Sequence, residues 1–184
     1  AFPAALPGTM PALGLPSLTR NITLEEVENP VTGEPEFGSL NGRKFDDARG
    51  VQERPRLGST EDWRLINLTE DSHPIHVHLV QFQIMDRTPF DADAYSAALQ
   101  QARAANPDAP NPDPGPFRTG APAAPDANER GWKDTVRANP GQITRIRMRW
   151  TLPAGVTPLQ RYVFHCHILE HEDNSMMRPL ELTT

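Results

Sequence analysis

Residues 142–151, QITRIRMRWT, alternate between apolar and basic side chains at every second position. One face of the segment carries Ile146, Met148 and Trp150, and the other carries Arg145, Arg147 and Arg149. A period of two is the repeat of a β-strand, in which neighbouring side chains point to opposite faces. A strand with one apolar and one solvated face is typical of an antiparallel edge or outer strand, and the segment predicts such a strand.

Other short segments are also rich in strand-forming residues and are separated by turns such as NGRKFD, RANPGQ and LPAG. They cover residues 22–27, 61–69, 75–85, 160–167 and 178–183. Several short strands punctuated by Gly, Pro and Asn are typical of a β-sandwich or barrel. The predicted fold class is therefore all-β.

Residues 89–130 interrupt this pattern. Within them, DADAYSAALQQARAAN predicts a short helix with Asp91 or Asp93 as its N-cap and Asn106 at its end. The segment that follows is too rich in Pro and Ala to form a strand. We interpret 89–130 as an insertion between two strands. It forms either a solvated surface loop or a wall over a nearby site, because long loops in compact domains often carry function.

Length and charge limit the class of protein. The chain has 184 residues and a formal net charge of −6, which suits one domain of ordinary size. An acidic chain without long basic runs argues against binding to nucleic acid or to an anionic membrane surface. The sequence contains no run of eighteen apolar residues, so we expect no membrane span.

Residues 1–18 differ from the rest in being apolar, interrupted by four prolines and without strand periodicity. They lack the basic n-region of a signal peptide. We expect residues 1–18 to be a linker from a preceding domain and residues 19–184 to form one domain. A start at Ala1 rather than at methionine favours a cleaved or shortened form of a longer protein.

All six histidines lie in two short windows, HPIHVH at 73–78 and YVFHCHILEHEDNSMM at 162–177. The second window also holds the only cysteine of the chain. If this window begins with a strand, His165 and His167 project to one face and Cys166 projects to the other. One strand would then supply a thiolate to one metal site and two imidazoles to another.

The first window divides in the same way. His76 and His78 share a face of a predicted strand, whereas His73 precedes Pro74 and can point to a different site. The sequence therefore predicts two groups of ligands. One comprises His73, Cys166, His171 and Met176, and the other comprises His76, His78, His165 and His167.

Two histidines, one cysteine and a weak axial methionine are the ligands of a blue-copper electron-transfer site. Zinc is the simplest competitor, because cysteine and histidine also bind zinc, but the CxxC and HExxH spacings of zinc sites are absent. Met177 is an alternative to Met176 as the axial ligand. The spacing of five residues from His171 favours Met176.

The motifs HPIHVH and HCHILEHEDNSMM together resemble the two C-terminal copper motifs of the multicopper oxidases. The resemblance is strongest to the bacterial branch that contains spore-coat laccase, bilirubin oxidase and phenoxazinone synthase. Supporting segments are LNGRKFD at 40–46, GSTEDWRLINLT at 58–69 and GWKDTVRANPGQITRIRMRW at 131–150. The resemblance covers most of residues 19–184. It implies a cupredoxin-like Greek-key β-sandwich, the last of three domains in an oxidase.

The resemblance also implies a role for each ligand. A type 1 copper would be held by His73, Cys166 and His171, with Met176 in the axial position. In a trinuclear cluster, the type 2 copper would be bound by His76, one type 3 copper by His78 and His165, and the other by His167.

The same resemblance implies a reaction. Single electrons from a phenolic or aromatic-amine substrate would pass from Cys166 through His165 and His167 to the cluster, where dioxygen is reduced to water. Glu172 resembles an acidic residue that assists proton delivery in this branch, although a solvent-exposed carboxylate is the alternative interpretation.

The chain departs from the family in its number of histidines. The family's trinuclear cluster uses eight, four of them from two HxH motifs in the first domain, and this chain has none left after the six are assigned. We therefore expect tight association with an N-terminal fragment or chain of the same oxidase that carries those motifs. The family suggests an extracytoplasmic location, and an export signal would lie upstream.

A single-copper electron carrier is the alternative function. It needs only the ligands of the predicted blue-copper site, and it leaves the other four histidines unexplained.

Overall fold

Nine β-strands and two α-helices make up the part of the chain described by this computed structural model, which comprises residues 12–29, 31–32, 35–156 and 161–184. The strands are β1 (Leu18–Glu28), β2 (Pro35–Leu40), β3 (Thr60–Asn67), β4 (His73–Val77), β5 (Phe82–Pro89), β6 (Thr135–Ala138), β7 (Gln142–Arg149), β8 (Arg161–Cys166) and β9 (Met177–Glu181). The helices are α1 (Ala92–Ala105) and α2 (Leu169–Asp173), and single 3-10 turns lie at Gly115–Phe117 and Ala127–Glu129.

The strands form two sheets that share one core. The five-stranded sheet has the order β2-β1-β3-β7-β5, and the four-stranded sheet has the order β6-β4-β8-β9. Between them, Trp63 of β3 packs against Trp150 and Phe164, with ring centroids 5.7 and 5.0 Å apart. Two sheets packed on a shared apolar core make the sandwich that the sequence predicts, and the fold is cupredoxin-like and all-β.

Strand β7 buries the apolar face predicted for it, which comprises Ile146, Met148 and Trp150. However, β7 is not an edge strand, because it lies between β3 and β5. On its other face, the positive charges of two arginines are paired with carboxylates and are not only solvated. Arg147 pairs with Asp62 of β3 at 2.6 Å, and Arg145 pairs with both Asp62 and Asp86. Carboxylates on the flanking strands thus allow a basic face inside a sheet.

The segment 75–85, predicted as one strand, is two strands in different sheets. β4 belongs to the four-stranded sheet and β5 to the five-stranded sheet. The chain turns at Leu79, whose φ of 77° lies in the left-handed region that leucine rarely adopts. The apolar positions change from 75, 77 and 79 to 80, 82 and 84 at this point, so the alternation shifts its phase at the turn, and the prediction of a single strand overlooked that shift.

Several strand boundaries differ from the prediction. β1 is longer than residues 22–27 because its first half pairs in parallel with β3, from Leu18 opposite Glu61 onward. β2 and β6 were not predicted, since PEFGSL contains Pro and Gly and TVRA is only four residues long. Residue 160, the predicted start of β8, lies outside the described residues.

Helix α1 confirms the helix predicted in the insertion. The Asp91 side chain caps it by accepting a hydrogen bond from the Ala94 N–H at 3.0 Å. Tyr95 and Leu99 are buried in a second, smaller core together with Ile66 of β3. The first part of the insertion is therefore packed structure and not a solvated loop.

The last turn of α1 and the segment after it continue this packing on the outer face of the five-stranded sheet. Arg103 pairs with Glu25 of β1 at 2.7 Å. The Asn111 side-chain amide donates to the Asn21 carbonyl at 2.9 Å. Ile22 and Leu24 of β1 point to the opposite face, into the main core. Through these contacts the insertion covers part of the outer face of the five-stranded sheet.

The boundary at residue 18 stays a prediction, because residues 1–11 lie outside the described range. Just before β1, the Ser17 N–H donates to the Thr60 carbonyl at 2.8 Å. Among the described residues, no helix combines the length and the apolar character needed to cross a bilayer.

Candidate metal centres

Strands β4 and β8 bring the two histidine windows together in the middle of the four-stranded sheet. They pair antiparallel, with Ile75 opposite Cys166 and His76 opposite His165. Because side chains alternate along a strand, Cys166 points into the core and His165 points to the outer face of the sheet. The sheet therefore separates two groups of side chains.

On the core side, His73 lies on the same face of β4 as Ile75 and Val77 and is fully buried. Its Nδ1 lies 3.6 Å from Cys166 Sγ and 3.3 Å from His171 Nδ1. His171 Nδ1 lies 3.9 Å from the same sulfur. Three potential ligand atoms thus converge on one point, and we call His73, Cys166 and His171 the inner cluster.

Hydrogen bonds determine which ring nitrogen of His73 faces this point. Thr69 Oγ1 lies 2.6 Å from His73 Nε2, and the Thr69 hydroxyl donates its own hydrogen to Asn67 Oδ1 at 2.9 Å. The Nε2–H of His73 is therefore the donor to Thr69, and Nδ1 keeps its lone pair towards the sulfur. The Ile168 N–H donates to Cys166 Sγ at 3.4 Å, which favours the negative form of the sulfur. The His73 imidazole and the Cys166 sulfur are thus both oriented as metal ligands require.

Burial controls protonation in the inner cluster. It lowers the pKa of His73 to about 4, and the neighbouring His171 adds to this effect. At neutral pH the His73 imidazole is therefore neutral and able to donate a lone pair. Burial also raises the pKa of the Cys166 thiol to about 11. A bound transition metal would displace that proton, because thiolates coordinate in the deprotonated form.

Met176 lies on the core side beside the inner cluster and is fully buried. Its N–H donates to the His171 carbonyl at 2.8 Å, and its carbonyl accepts from the Cys166 N–H at 3.0 Å. Met177 pairs with His165 across β8 and β9, so its side chain points to the outer face. Of the two candidate axial methionines, only Met176 points to the side of Cys166.

On the outer face, the other four histidines lie together, and we call His76, His78, His165 and His167 the outer cluster. The Nε2 atoms of His78 and His165 are 3.3 Å apart. The ring centroid of His76 lies 4.9 Å from that of His78, 5.4 Å from His165 and 5.2 Å from His167. The side chain of His167 is 47% exposed, so the cluster opens to the surface of the described chain.

Side-chain partners orient the outer rings as well. His76 Nδ1 lies 3.1 Å from Thr135 Oγ1 of the neighbouring strand β6, which leaves Nε2 for the cluster. Burial lowers the pKa of His76 and of His78, and nearby histidines lower it further. These rings are therefore neutral at neutral pH, as metal coordination requires.

Glu172 of α2 joins two rings of the outer cluster. Its Oε2 lies 3.3 Å from His165 Nδ1 and 3.5 Å from His167 Nδ1. His165 Nδ1 also lies 3.0 Å from the carbonyl oxygen of Cys166, so its Nδ1–H has acceptors on both sides. The carboxylate is 27% exposed and thus lies between the histidines and solvent.

Two acidic residues near the inner cluster were not found from the sequence. Glu26 Oε1 lies 3.4 Å from His73 Nε2 and 3.7 Å from His171 Nδ1. Glu26, Asp71 and His171 each place a ligand atom within 4.8 Å of the others. Glu26 belongs to β1, and only the packing of the two sheets brings it here. Asp71 had a local signal, because it precedes His73 by two residues.

The chain is similar to known proteins over most of its length. The sequence profile of the multicopper oxidase family matches residues 17–183. A laccase from Bacillus stratosphericus is 44% identical over 132 residues, covering 72% of this chain and 22% of the laccase. The multicopper oxidase LPR1 from Arabidopsis thaliana is 39% identical over 173 residues, covering 90% of this chain and 29% of that protein.

A solved structure shares the fold. It is a multicopper oxidase from Campylobacter jejuni, described as a metallo-oxidase, which superposes with a TM-score of 0.68 at 23% identity and covers 99% of this chain and 34% of that one. The chain spans less than a third of the length of the two sequence relatives. The family profile spans both clusters, and the chain belongs to the multicopper oxidase family.

Proposed function

We propose that this chain is the C-terminal part of a laccase-like oxidase that binds copper in both clusters. The donor set supports copper, because a thiolate, a thioether and imidazoles favour it over oxygen-seeking cations such as Mg²⁺ or Ca²⁺. The inner cluster would hold a type 1 copper through His73, Cys166 and His171, with Met176 axial. The outer cluster would contribute His76 to a type 2 copper, His78 and His165 to one type 3 copper, and His167 to the other.

One observation carries this proposal: Cys166 and His165 are adjacent in sequence, yet their side chains belong to different clusters. The two proposed copper centres are therefore connected by a single stretch of main chain. The Cys166 carbonyl, 3.0 Å from His165 Nδ1, adds a hydrogen bond to that connection. A single-copper carrier has no use for an ordered group of four imidazoles on the far face of the same strands.

Copper bound at the two centres would accept single electrons from a reducing substrate, which we propose to be a phenol or an aromatic amine, and would reduce dioxygen to water. The protein's own residues would orient the imidazole ligands and supply protons to the outer cluster. Thr69 and Thr135 hold His73 and His76 in the tautomers that face their clusters. Glu172 lies between solvent and two outer histidines, where a carboxylate can pass protons inward.

The outer cluster of this chain is half of a trinuclear site. The family's site uses eight histidines, and this chain supplies four, which converge on the partly exposed side of the four-stranded sheet. We propose that the N-terminal part of the same oxidase covers this face and contributes two HxH motifs. The matched relatives are more than three times as long as the aligned segment, which leaves room for such a part.

Copper analysis of the complete oxidase, with and without His167→Ala, tests the proposal. We expect four coppers in the parent protein, with type 1 and type 2 signals in electron paramagnetic resonance. His167→Ala should keep the blue absorption and stop oxygen consumption. Leu169→Ala, a change at a 70% exposed neighbour, is the matched control and should keep both the blue absorption and the oxygen consumption. One copper per oxidase, or oxygen reduction that survives His167→Ala, would contradict the proposal.

A divalent metal ion is a second candidate substrate, favoured by the position of Glu26 and Asp71. Each of their carboxylates lies within 4.8 Å of His171, which is itself a proposed type 1 ligand, so the two carboxylates border the inner cluster directly. Such ligands suit Fe²⁺ or Mn²⁺ rather than a phenol. Oxidation of four Fe²⁺ would supply the four electrons that one dioxygen needs, with four protons, to form two waters.

The relative rates for the two substrate classes decide between them. If Fe²⁺ is a substrate, Asp71→Asn should lower kcat/KM for Fe²⁺ while leaving kcat/KM for a phenol unchanged. Equal effects on both substrates would assign Asp71 no role in metal recognition. Asp46→Asn, at an exposed position, is the charge-matched control.

A further inference from the structure

The hairpin of β1 and β2 forms one wall of the inner cluster. Across this hairpin, Glu26 lies directly opposite Gly38, so both positions face the same side of the sheet. Glu26 reaches His73 and His171. Gly38 is buried and lies against Met176. Glu26 and Gly38, which are neighbours in the five-stranded sheet, therefore contact proposed ligands from the opposite side of the core. One of these ligands lies on the four-stranded sheet, and the other two lie between β8 and β9.

The space at Gly38 is filled by the methionine side chain. A Cβ added at Gly38 would lie 2.9 Å from Met176 Cβ, 3.0 Å from its Sδ and 3.1 Å from its Cγ. Carbon atoms in favourable contact stay about 3.5–4.0 Å apart. Gly38 is not among the residues with positive φ, so its backbone would accept alanine. The neighbouring methionine, and not the conformation of Gly38, is what excludes a side chain.

Met176 has little freedom to retreat. Hydrogen bonds of 2.8 Å and 3.0 Å tie its main chain to His171 and Cys166, which are themselves proposed ligands. The preceding residue, Ser175, has a φ of 78°, a conformation that few non-glycine residues adopt and that the turn must hold in place. The contact with Met176 Cβ can be relieved only by a small shift of the main chain, and the contacts with Cγ and Sδ by rotation of the side chain. Either response displaces the thioether.

We propose that Gly38 is a positioning residue for the axial ligand of the type 1 copper. Because Gly38 has no side chain, β2 leaves a space that the Met176 side chain occupies beside the inner cluster. The axial ligand tunes the reduction potential of a blue-copper site, so the five-stranded sheet would set that potential through this contact. The inference rests on the proposed function, because it assumes copper in the inner cluster.

A double-mutant cycle on the copper-loaded oxidase tests this inference. Gly38→Ala should shift the reduction potential and the copper hyperfine splitting in the direction that Met176→Leu shifts them, because both remove the thioether from its place. In the Met176→Leu background, Gly38→Ala should leave both quantities unchanged, since no thioether remains to displace. A merely structural effect of Gly38→Ala would appear equally in both backgrounds.

Gly120→Ala is the matched control. Its Cβ would lie 2.8 Å from Pro89 Cγ, a clash of similar severity within the insertion. It should lower the thermal stability without changing the spectrum or the potential. An unchanged potential in Gly38→Ala, with the parent protein blue, would overturn the inference alone. A parent protein without blue absorption would instead overturn the proposed function.

A second pair of variants covers the case in which Gly38→Ala does not fold. Removing the whole methionine side chain removes all three close contacts, so Gly38→Ala combined with Met176→Gly should fold where Gly38→Ala alone does not. Thermal unfolding of the copper-free proteins measures this. If the combined variant also fails to fold while Met176→Gly folds, something other than the methionine side chain excludes a residue at position 38, and the inference is wrong.

Discussion

Cys166 and His165 are neighbours in β8, but Cys166 Sγ lies 3.6 Å from His73 on the core side, and His165 Nε2 lies 3.3 Å from His78 on the outer side. The alternation of side chains along a strand is the physical cause. It turns one dipeptide into a link between two centres.

Glu172→Gln should slow turnover by about tenfold or more, because it removes an ionisable carboxylate that contacts His165 and His167. Copper content and blue absorption should stay unchanged, since Glu172 is on the outer side of the sheet. Steady-state oxygen consumption at saturating phenol measures the effect. Glu170→Gln, an exposed change on the same helix, is the control. Full activity in Glu172→Gln would show that Glu172 is a surface carboxylate without a role in proton delivery.

Thr69→Val should weaken copper binding in the inner cluster by about 10–100-fold, because His73 loses the hydroxyl that accepts from its Nε2–H. Thr135→Val should do the same for the outer cluster through His76. Each variant is the control for the other, and copper titration followed by absorption and paramagnetic resonance separates the two sites. Simultaneous weakening of both sites by either variant would contradict independent clusters.

Stability should fall in acid through Asp62. Burial raises the pKa of this carboxyl, but hydrogen bonds from Arg147 and Arg145 outweigh it and hold the pKa below its usual value. A depressed native pKa means that the unfolded state binds the proton first, so this contribution is present above about pH 4 and is lost as the pH falls further.

Asp62→Asn should therefore lower the free energy of unfolding by about 1.5–3 kcal/mol at pH 7, the usual range for hydrogen bonds to a charged group. The difference from the parent protein should shrink as the pH is lowered below about 4. Urea unfolding across this range measures it, with Asp46→Asn at an exposed position as the control. A difference that does not vary with pH would show that Asp62 acts through packing and not through charge.

Leu99→Ala should destabilise the protein by about 2–5 kcal/mol, because Leu99 of α1 is 3% exposed in the second core. Visible absorption of the copper-loaded protein should be unaffected, since the insertion packs on the outer face of the five-stranded sheet. Gln100→Ala, at the next and exposed position, should change stability by less than about 0.5 kcal/mol. A spectral change in Leu99→Ala would instead support a wall over the copper site.

Strand periodicity predicted the division of the histidines well, because the outcome depends only on neighbours in one strand. His76 and His165 share the outer face, whereas His73 and Cys166 share the core face, as the spacing indicates. The prediction of one strand over 75–85 was wrong at Leu79, where two consecutive apolar residues, Leu79 and Val80, shift the phase of the pattern and the chain changes sheets. Periodicity describes faces and cannot report which sheet a strand joins.

Contacts between distant strands were beyond the sequence. Glu26 reaches His73 only because β1 and β4 lie in facing sheets. Gly38 is separated from Met176 by most of the chain, and nothing in PEFGSL marks that glycine as a partner of a methionine. The interior position of β7 was missed for a similar reason, since Asp62 and Asp86 come from two other strands.

Paramagnetic resonance and copper analysis of Cys166→Ser in the complete oxidase test the central claim most directly. The variant removes the thiolate of the inner cluster and leaves all four outer histidines in place. We predict loss of the blue absorption and of the type 1 signal, with the type 2 signal and three of the four coppers retained. Loss of every copper signal, or blue absorption that survives the change, would contradict two centres joined at Cys166.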